Sequence, residues 1–406
     1  MRALVLLLLL LSAGLAGCGG PPDIVLVTIS SLRRDHVGAY GWKLPGDSPT
    51  PHLDALAARA RVFDGATTTM PVPTAAQASI MTGLPAAQHG VVSNGQRVTE
   101  AMAAERGLPG QLAAAGYRVA AFVSTNAFGD RLGLGAFDPW DAKPKGWRRG
   151  ADAVEHALAW LDRTAHGEKR PVFVWIQIQD VHAPYGGSAV REAGGRYDAK
   201  SYGFVDRARY KDKRARIEMT KRYAAGVREA DAALGDLLDG LAKLGRDPLI
   251  FVAADHGEFM AEPLDRIGFA YGHGLLLGPE VAWIPLVAAG PGVEPGRVAG
   301  AASLTDLYTT ILEAAGVGDP RAALEMRADL LRDLPADRVV HTARRAVRAA
   351  QLAKRGASPA AIRAIAARAV AVTDGTSLVL VGEDGKPAEP GAAALVAAAQ
   401  SFLVAP

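Results

Sequence analysis

The stretch Ile24-Val25-Leu26-Val27-Thr28-Ile29-Ser30-Ser31 decides the fold. Apolar and β-branched residues run without interruption and stop at two hydroxyls, the pattern of a strand buried on both faces with a polar tip. A second run, Leu249–Ala254, ends in the same way at Asp255-His256-Gly257-Glu258. Arg118–Val123, Val172–Ile178 and Trp283–Ala289 are further strand candidates. Helical periodicity fills the gaps, at His52–Arg61, Leu108–Ala115, Ala151–Leu161, Met219–Leu244 and Leu304–Ala315. Strands alternating with helices predict an α/β fold: a mostly parallel central sheet with helices on both faces. Chemistry in such sheets collects beyond the strand ends, which places residues 30–31 and 255–258 at one crevice.

The pattern changes at residue 339. Thr342–Arg368 is rich in Ala and Arg and reads as helical, with a break near Gly356 and a restart at Ser358-Pro359. Ala369–Thr373 and Thr376–Val381 flank Asp374-Gly375, a hairpin signal. The expected organisation is a main domain over residues 23–335 and a small C-terminal α+β subdomain over 339–406. Gly186–Ser201, rich in Gly and charge, reads as a surface loop.

Residues 1–20 carry one Arg, a leucine-rich run and Leu15-Ala16-Gly17-Cys18, the marks of an export signal. The apolar run is short for a membrane span. Leu-Ala-Gly-Cys resembles a bacterial lipoprotein processing box. That resemblance implies lipidation of Cys18 and a lipid-anchored place in the bacterial cell envelope, on the periplasmic side or at the outer membrane. Cys18 is the only cysteine, so neither an intrachain disulfide nor a Cys-based zinc site is available. The formal charge of +3 gives no reason to expect nucleic acid as a partner. The basic run from Arg207 to Arg222 reads as a solvated helix face.

Asp255 and His256 leave a strand tip on successive residues, with Gly257 allowing a sharp turn, a donor pair suited to a divalent metal. The alternative is local hydrogen bonding by both. Thr74 stands at the start of an expected helix, Ala75–Thr82, where backbone N–H groups and the helix dipole favour an anion. Thr74-Ala75-Ala76-Gln77 also reads as a capping box that occupies the Thr74 hydroxyl. Ser30 and Ser31 have a similar plain reading, as hydroxyls that satisfy backbone groups at a strand end.

Several segments in order resemble the sulfatases of the alkaline phosphatase superfamily. Gln179-Asp180-Val181-His182-Ala183-Pro184-Tyr185 is similar to the family's Asp-Pro-His-x-Pro-Tyr, and Tyr271-Gly272-His273-Gly274 to its His-Gly element. Thr50-Pro51-His52-Leu53-Asp54, Ser79-Ile80-Met81-Thr82-Gly83, His89-Gly90-Val91, Asn94-Gly95 and Asp306-Leu307 also match family segments. The resemblance implies a crevice for sulfated or phosphorylated small molecules or glycans, with His182 and His273 contacting the anion. It implies a divalent metal (Ca, Mg, Mn or Zn) held by Asp255, His256 and Asp180.

Three positions depart from the family pattern. Ser30 replaces the strand-end metal-binding Asp, Pro73 occupies the nucleophile position, and Gln77 replaces a cationic residue. A hydroxyl is a weak substitute for a carboxylate toward a hard cation, and proline cannot attack an ester. The expectation is therefore a sulfatase-like envelope lipoprotein that is catalytically impaired, with the metal bound weakly or lost. One alternative is an active hydrolase using Thr74 or a metal-bound water. A second is transfer of a phosphoryl-linked group to an envelope glycan. The Arg33-Arg34-Asp35-His36 segment is expected to buttress the loop after the first strand through an ion pair.

Overall fold

A computed structural model describes residues 20–404 except 43–45, 126–127, 129–131, 133–134, 143–145, 166–169, 187–212, 320, 323–326, 355, 366–367, 383, 385 and 388–392. Cys18 and almost all of the Gly186–Ser201 loop lie outside the described residues. The central sheet has eight strands. They are β1 (Ile24–Ile29), β2 (Arg61–Thr67), β3 (Arg118–Val123), β4 (Trp140–Ala142), β5 (Val172–Ile178) and β6 (Leu249–Ala254), followed by β9 (Leu286–Ala289) and β10 (Gly296–Ser303). A two-stranded ribbon, β7 (Phe259–Met260) and β8 (Tyr271–Gly272), lies between β6 and β9 in the chain.

The strand order is β10-β2-β9-β6-β1-β5-β3-β4. Only β9 runs against its neighbours, pairing antiparallel with both β2 and β6. β1 sits between β5 and β6, parallel to both, with Ile29 opposite Ile178 and Ala254. That register brings three strand ends level, and every residue of β1, β5 and β6 is buried, as a sheet covered on both faces requires. Helix Gly150–Ala165 packs on β3 and β5, and the long helix Lys213–Lys243 packs against it and against helix Pro51–Ala57. A second group, helices Pro73–Thr82, Leu108–Ala114 and Asp306–Ala314, packs together around β3 and β10. The described part of the basic run forms the start of helix Lys213–Lys243, where Arg214 and Ile217 are exposed.

Several local expectations change. The helix expected over His52–Arg61 spans Pro51–Ala57, and the chain turns into β2 at Arg61. Gly65 in β2 is required by packing: a Cβ there would lie 2.4 Å from Gly375 Cα and 2.6 Å from Gly300 O. β9 starts at Leu286, because Pro285 has no N–H for a ladder; Trp283 makes only an isolated bridge to Thr67. Residues 340–344, of which 342–344 were expected to be helical, form β11 (Val340–Arg344) instead. Val340 and Thr342 are β-branched and pair with β12 (Ala369–Thr373). β13 (Leu378–Gly382) completes an antiparallel three-stranded sheet covered by helix Ala393–Val404. The two short helices expected around Gly356 form, at Ala349–Lys354 and Pro359–Ile365. Their Leu352, Ala361 and Ile365 share a small core with Phe259, Phe269 and Val281 of the main domain.

Candidate active site

The level ends of β1, β5 and β6 bring together residues far apart in sequence. Ser30 donates its N–H to Ile178 O at 2.9 Å, which fixes the tip of β1 against β5. Asp255, leaving β6, is fully buried and accepts three hydrogen bonds. The donors are Ser30 Oγ to Oδ2 at 3.1 Å, and the Ser31 and His256 N–H groups to Oδ1 at 3.0 and 2.8 Å. Ser31 reaches this position in the left-handed region, at φ 63°, which is costly for a residue with a Cβ. Its own Oγ is buried with no hydrogen-bond partner among the described residues.

The three motif histidines form one cluster. His256 and His273 lie with ring centroids 4.1 Å apart, and His182 and His273 at 5.3 Å. The Trp147 ring meets His182 edge-on at 5.1 Å. Each Nδ1 has a local partner: Gly257 O for His256 at 2.8 Å, Ala183 O for His182 at 2.7 Å, and the Glu258 carboxylate for His273 at 3.2 Å. An Nδ1 that donates to a carbonyl leaves Nε2 as the acceptor, so the His182 and His256 tautomers are set by their neighbours. His256 Nε2 is buried and without a partner among the described residues. Burial holds the His182 and His273 pKa values down to about 4 and lowers that of His256, so the cluster is uncharged near neutrality. Burial also pushes Glu258 up to about 7. Glu258 and Trp147 were assigned no role from the sequence. Glu258 stands in the Asp-His-Gly-Glu run and was legible there, whereas nothing in the sequence marked Trp147.

Thr74 is buried, and its hydroxyl donates to Asn94 Oδ1 at 3.0 Å. The capping box does not form. Helix Pro73–Thr82 begins two residues earlier than that box requires, with Val72 as a cap that lacks a side-chain hydrogen bond and Pro73 in the first helical position, where its missing N–H costs nothing. Gln77 turns inward and donates to Thr28 Oγ1 at 3.3 Å, beside the Trp175 indole N–H at 2.9 Å on the same hydroxyl. Asp180 accepts the Gly150 N–H at 2.8 Å, at the start of helix Gly150–Ala165. Arg33, only 5% exposed, pairs with Asp35 at 2.7 Å and also donates to Glu258 O at 3.0 Å. It thereby braces the loop after β1 as expected.

Among the described residues no three His, Cys, Asp or Glu side chains are grouped so that they could hold a metal ion. The donor chemistry agrees. Both Asp255 oxygens accept from the protein, and the Ser30 hydroxyl hydrogen points at the carboxylate. A hard divalent cation needs several oxygen ligands with enough negative charge, and this set supplies one carboxylate already turned to N–H and O–H donors. The residues present do not fit the cation.

The Sulfatase family model matches residues 22–317. Rat (Rattus norvegicus) N-acetylgalactosamine-6-sulfatase is 26% identical over 403 residues, covering 82% of this chain and 70% of that protein. Human (Homo sapiens) arylsulfatase K is 26% identical over 201 residues, covering 48% of this chain; the match spans only 34% of that relative's length. Among solved structures, a phosphonate monoester hydrolase from Silicibacter pomeroyi superposes with a TM-score of 0.61 at 19% identity, over 94% of each chain, a likeness of fold.

Proposed function

This chain belongs to the Sulfatase family, and from that premise we propose an impaired member that binds a sulfated or phosphorylated sugar or small molecule without efficient ester hydrolysis. The relatives named for sulfate esters of sugars, together with the histidine cluster at the strand ends, support the ligand class. A lipid on Cys18 would hold the protein in a bacterial cell envelope.

The observation that carries the reading is the side-chain chemistry at the nucleophile position. Pro73 has no group able to attack, and the neighbouring hydroxyl of Thr74 is donated to Asn94 Oδ1, an amide oxygen too weakly basic to take its proton. Gln77 supplies no positive charge to a transferring sulfuryl or phosphoryl group, and its amide is directed at Thr28. With Nδ1 as the donor, the neutral His182 and His256 rings present a lone pair at Nε2 and cannot donate to an anionic ester. Glu258, pushed up to about 7, can instead give its proton to His273 Nδ1, which leaves His273 with an Nε2–H for the anion, a weaker attraction than a cationic clamp provides.

The test is hydrolysis of an aryl sulfate, a phosphomonoester and a phosphodiester by the purified chain, with Mg, Ca, Mn and Zn supplied in turn. Calorimetric titration with N-acetylgalactosamine 6-sulfate runs alongside, using His273→Ala as control. The expected result is no turnover above background and a binding signal that His273→Ala weakens at least tenfold. Turnover that disappears in a His256→Ala variant would overturn impairment, and loss of Thr74→Ala activity would then assign the nucleophile.

A further inference from the structure

We infer that the tips of β1 and β6 are held together by a hydrogen-bonded clasp, Ser30–Asp255–Ser31, which takes the structural place of a cation, so that the fold of this chain is independent of divalent metal. The inference concerns what holds the site together; it rests on the family reading above only for the expectation that a cation would belong there.

Four observations carry it. Asp255 is completely buried, and a buried carboxylate needs donors or a cation around it. It has three protein donors: the Ser30 hydroxyl, the Ser31 N–H and the His256 N–H. The two serine donors join β1 to β6 across their parallel seam, just beyond the last paired positions, Ile29 and Ala254, and the His256 N–H closes the set from the β6 side. Second, Ser31 adopts φ 63°, a conformation unfavourable to serine that turns its N–H onto Asp255 Oδ1. A strained residue maintained at a strand tip implies that the hydrogen bond it makes outweighs the strain.

Third, the Ser30 hydroxyl has its direction fixed. A carboxylate oxygen can only accept, so the Ser30 proton lies between the two oxygens, where it repels a cation. Fourth, the residues around the clasp do not complete a ligand set. Asp180, the other carboxylate expected here, accepts the Gly150 N–H, and among the described residues no three His, Asp or Glu side chains are grouped to hold a metal ion. The clasp thus stabilises the buried carboxylate by hydrogen bonds from neutral donors alone. An acidic residue at position 30 would reverse this, placing a second carboxylate against Asp255 with no proton between them.

The experiment is thermal unfolding of the full chain in detergent, in EDTA and then with millimolar Ca, Mg or Mn, together with elemental analysis of the purified protein. The wild-type chain is expected to unfold at the same temperature in all four conditions and to carry no stoichiometric metal. A rise of several degrees with any of these cations, or one metal ion per chain, would overturn the inference. Ser30→Asp is expected to unfold at lower temperature in EDTA and to recover with cation; recovery of folded S30D only when a cation is present counts the same way. S30D that folds and unfolds identically in EDTA and with cation would overturn the claim that the clasp stands in the cation's place. The wild-type arm decides the inference even where S30D does not fold. A cation response without ester turnover removes the clasp alone, and turnover in EDTA removes the impairment reading alone.

Discussion

The Ser30 hydroxyl lies 3.1 Å from Asp255 Oδ2, donating across the seam between the first and sixth strands to a carboxylate 225 residues away. Its neighbour Ser31 contributes through the backbone, and its own hydroxyl has no partner among the described residues. The two adjacent serines therefore have opposite sensitivities.

Ser30→Ala removes one donor from a buried carboxylate and is expected to cost about 1–3 kcal/mol of stability. Ser31→Gly keeps the N–H, relieves the left-handed backbone and is expected to be neutral or stabilising by about 1 kcal/mol. Urea unfolding of both variants checks the pair. A larger loss in Ser31→Gly than in Ser30→Ala would refute this division of roles.

Arg338 donates to both oxygens of the fully buried Asp306 at 2.8 and 2.6 Å, and to Ala301 O at 2.6 Å. Removing one partner of such a pair strands the other charge, so Arg338→Met is expected to cost about 3–5 kcal/mol. The double variant Arg338→Met/Asp306→Asn should regain part of that loss. Additive losses in the double variant would show that the two residues act separately.

Gly65→Ala should be severe for its size. The added Cβ meets backbone atoms of Gly375 and Gly300 at 2.4 and 2.6 Å, and backbone cannot step aside as a side-chain end can. The expected cost is about 1–3 kcal/mol or more, together with faster proteolysis of the C-terminal sheet. Unchanged protection of that sheet against protease would show that the contact is not needed.

Acid should destabilise the fold before carboxylates are protonated. His89 is 3% exposed, within 3.0 Å of Ser79 Oγ, with Nδ1 accepting the Val91 N–H, and burial pushes its pKa down to about 4 from 6.5. Between those values the unfolded chain takes up a proton that the folded chain refuses, so stability falls as the pH drops from 6.5 toward 4. The loss from His89 alone is roughly 3 kcal/mol at full extent. His89→Gln removes this titration, and its stability deficit relative to the wild-type chain should shrink between pH 7 and pH 5. A deficit constant across that range would contradict the assignment.

Much of the sheet was legible because β1, β5 and β6 are continuous apolar runs, the signature of strands covered on both faces. β2 and β10 were not, since Asp64 and Gly65 interrupt one and the Gly-Arg-Val-Ala-Gly-Ala-Ala-Ser run of the other lacks large apolar residues. Their strand character comes from tertiary pairing with each other and, for β2, with β9. At the site, the order of the histidine motifs foretold that His182, His256 and His273 would meet. The partners of Asp255, Thr74 and Asp180 were not readable, because they depend on side-chain directions at strand and helix ends. Thr74 shows this: local spacing suggested a cap, whereas Asn94, brought in by the loop after the helix, takes the hydroxyl.

The attachment of β11 bears on how the protein is made. Thr342 gives its hydroxyl to Thr68 O, and Ala343 its N–H to Thr69 O, in the segment that leads into helix Pro73–Thr82. The first of these bonds joins residues 274 positions apart. A nascent chain emerging from its N-terminus can complete the helices and most strands of the main domain, yet residues 68–69 remain without this restraint until residues 342–343 of 406 have been synthesised. A truncation just after the family-matched region would therefore keep every motif residue named above while leaving the entrance to that helix untethered.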